Sequence, residues 1–595
     1  MNGETKQCQN CKQDFVIEPE DFGFYKKMDV PPPTFCSECR MRRRMFWRNE
    51  RTLYKRKCQV PGHEEELVSI YAPDKAVVAY DQKYWWSDAW DPTDFGQPYD
   101  FSKPFFAQFG ELLSRVPLLA LSNSNAVNSD YCNVADQSKD SYLCSGSFKI
   151  EKALYSNRIF TTTDSADLYV CSRAELSYDC VSCNDSYRLL YSQDCRGSRE
   201  SYFLYDCRNC SNCVGCTSLR NKQYCMWNVQ YTKEEYAQKL KELKLDSRTG
   251  VEEARKRFQD LLLQTPRRYA QIYRSVNIVG DNVEDAKNCF EVFDILEGLE
   301  DSKYVHWGGL QTKDSYDCGP GIGDTAELMY ETTDTGLQSA NVAFTYVVYG
   351  SQRIRYALYC HGSADLFGCI GLRSKKFCIL NRQYSEEEYK ELLPKVIRHV
   401  NDMPYIDAAG RQYAYGEFFP EEISPFAYNE SIAQDYFPIT REEALTRGYS
   451  WHENTASQHA PTRKAAELSD SISDVGDEIL KEIIECGHGG RCNDGCSTAF
   501  RFIPQELEFY RRLGIPLPQL CFNCRHKGRV AKRNPMKLWE RACACAGRKS
   551  ENARYENTAS HPHGETHCPK KFSTTYAPER PETVYCDECY QAEVV

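Results

Sequence analysis

No run in the chain approaches the ~18 consecutive apolar residues that a membrane-spanning helix needs. The start, Met1-Asn2-Gly3-Glu4-Thr5-Lys6, has no apolar core for a secretory signal, so export is not expected. Enzyme signatures are missing as well. Gly319-Pro320-Gly321-Ile322-Gly323 lacks the strand-to-helix setting of a nucleotide loop and contains a proline. Cys360 and His361 are adjacent, and neighbouring side chains on a strand face opposite ways. Positive charge is short overall: the net charge of −11 argues against a general polyanion binder. Charged residues at 27% and apolar residues at 41% exclude bulk disorder. A chain of 595 residues is long enough for several domains.

Cysteine, in contrast, is abundant at 31 residues. Without export the thiols stay reduced, which favours metal binding over disulfides and makes cytoplasm the expected setting. A cysteine module occurs near each end. The first reads Cys8-x2-Cys11, Phe24-Tyr25, Val30-Pro31-Pro32-Pro33, Cys36-x2-Cys39-Arg40. The second reads Cys492-x3-Cys496, Phe509-Tyr510, Ile515-Pro516-Leu517-Pro518, Cys521-x2-Cys524-Arg525. One offset relates them (496 − 11 = 521 − 36 = 485) and extends to Cys58 and Cys543. Two thiolate pairs separated by a short folded segment are the ligand pattern of a tetrahedral structural zinc site.

A further candidate follows at Cys543-Ala544-Cys545, Cys568 and Cys586-x2-Cys589. Which two of Cys543, Cys545 and Cys568 join Cys586 and Cys589 stays open, with His561, His563 and His567 as competitors. In the first copy the matching frame places Asp81 and Tyr84 where Cys586 and Cys589 stand, so no zinc is expected there. Two to three structural Zn²⁺ ions per chain follow from these ligand sets.

The segment Arg40–Lys57 carries nine basic residues against Glu50 alone. Arg40, Arg42, Arg43, Arg44, Arg48, Arg51, Lys55 and Arg56, with Trp47 among them, suit phosphate contacts plus base stacking. The bland alternative pairs this strip with acidic residues of the same protein.

Between the modules, units such as Ser141-Tyr142-Leu143-Cys144 and Ser177-Tyr178-Asp179-Cys180 alternate short strand-like runs with turn residues. The spacing from Tyr202 to Tyr224 is near one coil of a β-solenoid. Cys216–Tyr236 recurs as Cys369–Tyr389 at an offset of 153 (369 − 216), which implies two related halves, each closed by a helix near Glu234 or Glu387. Cys207, Cys210, Cys213 and Cys216 invite an iron–sulfur reading. That spacing is not kept in the second half, where Ser363 and Leu366 replace the middle pair, so packed thiols are expected.

The run Phe500–Tyr510 leading to Cys521-x2-Cys524-Arg525 resembles the bacterial probable zinc-ribbon, or treble-clef, family. More broadly the chain resembles large zinc-ribbon proteins of candidate-phyla-radiation bacteria at Leu53–Cys58, Tyr415–Pro420, Ser424–Glu430 and Thr575–Glu582. Cys492-x3-Cys496 departs from that pattern by one residue, and Cys486 could stand in. The resemblance implies zinc and a cytoplasmic bacterial setting, and brings no activity with it.

The expected fold is multidomain and mainly β with α. It comprises a zinc module (1–60), a degenerate aromatic-rich segment (61–118), one β-solenoid-like half (119–231) and a helical insertion (232–268). A second half (269–400), an ordered linker (401–451), a flexible linker with a short helix over Ile472–Ile484 (452–484), a treble clef (485–542) and a zinc ribbon (543–595) follow. The expected function is non-catalytic zinc-stabilised binding of RNA or a ribonucleoprotein. The rival is a scaffold that uses the Tyr-rich halves to bind a protein partner; no membrane is expected in either case.

Overall fold

The computed structural model describes residues 3–453, 460–492 and 495–594. The fold is sheet-rich and mixed, with two long, mainly parallel sheets. The chain forms two compact units: Met1–Ser122 with Ala270–His452, and Asn123–Tyr269 with Glu453–Val595. The grouping is nested. The first cysteine module belongs with the second central repeat, and the last module with the first.

In the second unit, ten strands stack in chain order from Asn123 to Gln230. Neighbours pair in parallel at one register, Asn157 with Tyr169, Tyr187 with Arg199 and Tyr202 with Val214, until an antiparallel pair, Cys225–Met226 with Val229–Gln230, ends the stack. The shift is twelve positions (169 − 157), well short of the coil length expected from Tyr202 and Tyr224. The cause is a shorter period of three. Every third residue from Val134 to Trp227 is left-handed, and up to Gly215 the residue after each of them turns inward. Those inward positions, from Cys132 through Ala135, Ser138, Ser141 and Cys144 to Cys216, are all buried and are only Cys, Ser, Ala, Thr, Ile or Leu. A twelve-residue repeat leaves room for four inward side chains, so all must be small or slender.

Most of the polar members are satisfied locally. The Ser156 hydroxyl donates to the Leu154 carbonyl (2.9 Å) and accepts the Leu168 N–H (3.0 Å). The Cys180 thiol donates to the Leu189 carbonyl (3.1 Å). Two helices, Lys233–Glu242 and Arg248–Gln264, follow, the first started by a Thr232–Glu235 capping box. Ile472–Ile484 is not the expected α-helix. It forms 3-10 turns at Ile472–Asp474 and Asp477–Lys481, ending in a strand at Ile484–Glu485. Of the segment expected to be flexible, 454–459 lie outside the described residues.

In the first unit the stack runs from Ile272 to Gln383. Its register begins at eleven positions, at Ile272–Val283 (283 − 272), and widens to thirteen at Ala286–Leu299 (299 − 286) and fourteen at Lys313–Glu327 (327 − 313). It settles to twelve from Ala340–Gln352 (352 − 340) onward. A second capping box, Ser385–Glu388, starts the helix Glu386–Asp402. The aromatic-rich segment supplies an apolar helix, Phe105–Leu113, whose Phe105 ring lies 5.1 Å from Tyr356 and 5.0 Å from Phe367.

Candidate metal centres

Three cysteine tetrads bring their sulfurs within 4.8 Å of one another: Cys8, Cys11, Cys36 and Cys39; Cys486, Cys496, Cys521 and Cys524; and Cys543, Cys568, Cys586 and Cys589. Each set could hold a metal ion, and the local construction repeats. Cys36 caps the helix Ser37–Phe46, Cys521 caps Phe522–Ala531, and Cys586 immediately precedes Asp587–Val594. The helix N-terminus favours thiolate at each position. The backbone N–H of that third cysteine donates to the first sulfur: Cys36 to Cys8 (3.3 Å), Cys521 to Cys486 (3.3 Å) and Cys586 to Cys543 (3.2 Å).

Crowding sets the charge. Sulfur contacts from Cys36 and Cys39 pull the Cys8 thiol far below its ordinary range, while Cys39 and Cys8 push Cys36 up. Contact with Cys543 draws Cys586 down to about 5. Cys8 and Cys586 therefore ionise readily, while Cys36 resists ionising until a cation is present.

Cys492 is a correction. In the second tetrad Cys486 takes the first place, with its sulfur 3.9 Å from Cys524 and accepting the Cys521 N–H. Cys492 groups instead with His488 and Cys524. Cys545 likewise stands outside the last tetrad and gathers with His561, His563 and Cys589. In the first copy, Cys58 lies 3.9 Å from His63 Nδ1 and 3.7 Å from Asp81. Cys207, Cys210, Cys213 and Cys216 point into the strand stack, and their thiols donate to backbone carbonyls, as from Cys210 to Arg208 (3.3 Å) and Cys216 to Val214 (3.3 Å).

The basic strip is the larger correction. Arg40, Arg43, Arg44, Trp47, Arg48 and Arg56 are buried, so they present no surface to a phosphate or a base. Arg40 Nε meets Asp317 at 2.9 Å, and Arg44 reaches both Asp317 (3.4 Å) and Glu331 (3.3 Å). Arg43 bridges Glu331 (2.7 Å) and Glu417 (2.9 Å), and Arg48 pairs with Glu50 (2.5 Å) and Asp334 (3.1 Å). Arg42 and Arg51 are half-buried, and only Lys55 and Lys57 stay exposed. Spacing along the chain could not reveal carboxylates so remote in sequence; Arg44 and Glu331 are 287 apart.

The second unit repeats the fork. Arg525 and Arg529, the counterparts of Arg40 and Arg44 at the 485 offset, both close on Asp167 (2.9 and 2.8 Å). Aromatic pairs dock alongside. Phe24 stacks on Tyr316 (3.9 Å between centroids), and Tyr510 meets Tyr178 edge-on (5.6 Å). Each cysteine module is thus clamped to the strand stack of its own unit by an Arg–Asp fork and a Phe-Tyr pair. No protein-family model matches this chain, and no curated protein matches it either.

Proposed function

We propose that the chain is a non-catalytic scaffold for a protein partner, built from two β-solenoids with repeats close to twelve residues long and braced by zinc modules. The Arg–Asp fork carries this reading. It occupies, in buried ion pairs, the arginines that phosphate binding would need, and it does so in both units. Zinc fits the ligands: four thiolates suit a tetrahedral, redox-inert ion and leave no open position for chemistry. Tyr131, Phe148 and Tyr187 remain exposed on the second unit's stack and offer the aromatic area that protein interfaces favour. A reducing cytoplasmic setting and kinship with the zinc-ribbon proteins of candidate-phyla-radiation bacteria belong to the same reading.

The second reading, RNA or ribonucleoprotein binding, keeps support from Lys55 and Lys57 beside the half-buried Arg42 and Arg51. A pull-down of the full chain from native lysate, analysing proteins and RNA together, separates the two. A stoichiometric protein that is lost from the Tyr131→Ala, Phe148→Ala, Tyr187→Ala variant supports the scaffold. RNA whose binding falls steeply with salt and is lost in the Lys55→Ala, Lys57→Ala variant overturns it.

A further inference from the structure

The last module holds more ligands than one ion can use. Beyond Cys543, Cys568, Cys586 and Cys589, the groups of Cys545, His561 and His563 lie within 4.8 Å of one another and of the Cys589 sulfur. Cys543 and Cys545 are two residues apart in the chain, and both are fully buried.

The surroundings of these three side chains are arranged as for metal ligands. His561 Nε2 is 2.8 Å from Glu593 Oε1, and both side chains are about 1% exposed. The carboxylate fixes the proton on Nε2 and leaves Nδ1 as a lone pair. That Nδ1 is buried and has no hydrogen-bond partner among the described residues. Such a carboxylate–histidine pair is the usual outer support of a metal-bound imidazole. Glu593 is itself anchored by the Thr558 N–H (2.8 Å) and the Tyr555 hydroxyl (2.9 Å).

His563 has the opposite tautomer for the same result. Its Nδ1 lies 2.7 Å from the Thr566 carbonyl, an acceptor, so Nδ1 carries the proton and Nε2 is free. Nε2 points at the Cys589 sulfur from 3.3 Å. Cys545 is fully buried, and its sulfur accepts the Asn557 amide N–H at 3.2 Å, while the Tyr585 hydroxyl holds the amide from its other end (2.8 Å). An amide aimed at sulfur supports a thiolate.

From this arrangement we propose that the C-terminal module holds a binuclear zinc centre bridged by Cys589. One ion takes Cys543, Cys568, Cys586 and Cys589. The other takes Cys545, His561, His563 and the shared Cys589. Binding of the second ion releases the Cys545 thiol proton to solvent, and the two imidazoles bind neutral. The inference rests on reading the Cys543 tetrad as a zinc site, and the two readings fail separately.

Native mass spectrometry of the full chain loaded with zinc gives the first test. His561→Ala with His563→Ala should lose one zinc relative to wild type. An unchanged count overturns the second site and leaves the tetrad intact. If Cys586→Ser loses no zinc, the tetrad reading itself falls, and the binuclear centre with it. Cadmium NMR of the wild-type chain gives a test that needs no variant. One pair of cadmium resonances scalar-coupled through a single sulfur is expected beside the uncoupled resonances of the other two tetrads, and a spectrum with no coupled pair overturns the bridge.

Discussion

Between Cys132 and Cys216 the inward positions of one stack are mostly Cys and Ser, whereas the other stack buries Val292, Ile295, Met329 and Val342. The repeats differ in length as well. The longer registers in the first unit, at Ala286–Leu299 and Lys313–Glu327, open a wider section, which apolar side chains fill. The constant, shorter register of the second unit leaves a narrow one, filled by thiols and hydroxyls that return their protons to nearby carbonyls. In that setting burial pushes the Cys171 thiol up to about 12, so that sulfur stays protonated. Cysteine therefore takes two unlike places in one chain: small interior filler in the stacks, and clusters able to hold a metal ion in the modules.

The docking of the modules differs in the same spirit. The first unit meets its arginines with a network of Asp317, Glu331, Glu417 and Asp334. The second leans on Asp167, with Glu506 supporting Arg525 at 3.5 Å. The Arg–Asp fork common to both is the part that fixes module to stack.

The largest expected effect separates the tetrads. Cys486→Ser should abolish zinc binding by the second module and unfold it, because structural zinc contributes about 10–16 kcal/mol in small zinc domains. Cys492→Ser should keep the full zinc count by mass spectrometry, and its loss of an ion would restore Cys492 as a ligand. Next comes the fork. Asp167→Ala leaves Arg525 and Arg529 buried without their shared carboxylate and should cost about 3–5 kcal/mol in denaturant unfolding. Asp317→Ala should cost less, since Glu331 still holds Arg44. Equal losses would show that the two forks are equivalent.

Overpacking probes the interiors. Ala174→Leu in the narrow stack should destabilise by about 1–3 kcal/mol, and Ala286→Leu in the wide one by less, read as shifts in the unfolding midpoint. The smallest effect is a pH effect. Burial pushes the Asp179 carboxyl up, but Lys532 and Arg255 outweigh it and hold the group below its ordinary value. A carboxyl depressed in the folded state adds stability above its unfolded pKa, and that stability is lost as pH falls through the folded one. Asp179→Asn should therefore flatten the acid limb of stability against pH while leaving the alkaline limb unchanged.

Much of the metal architecture is legible in the chain, and little of the docking. Cys-x2-Cys pairs at a fixed offset are local patterns, so the modules can be read directly. Cys486 cannot be chosen over Cys492 by spacing, because the choice depends on which sulfur receives the Cys521 N–H. The strip Arg40–Lys57 reads as a free basic surface because charge reports no partner, and Asp317 and Glu331 arrive from another part of the chain. The period of three is present in Ser141-Tyr142-Leu143-Cys144, where Ser141 and Cys144 are successive inward residues. Spacing the tyrosines hides it, because tyrosines sit on the outward positions.

The nested grouping has a consequence for the order in which the protein is made. As the chain is synthesised, the first module appears well before the stack that it clamps, and waits while the other stack is built. The first unit can close once His452 has emerged. The stack that begins at Asn123 receives its clamp only when the module carrying Tyr510, Arg525 and Arg529 is complete, so its Asp167 and Tyr178 stay uncovered through most of translation. Domains fold as units during synthesis, and here the first stack to be made is the last to be locked. A ribosome stalled just after His452 would display one finished unit and one open face.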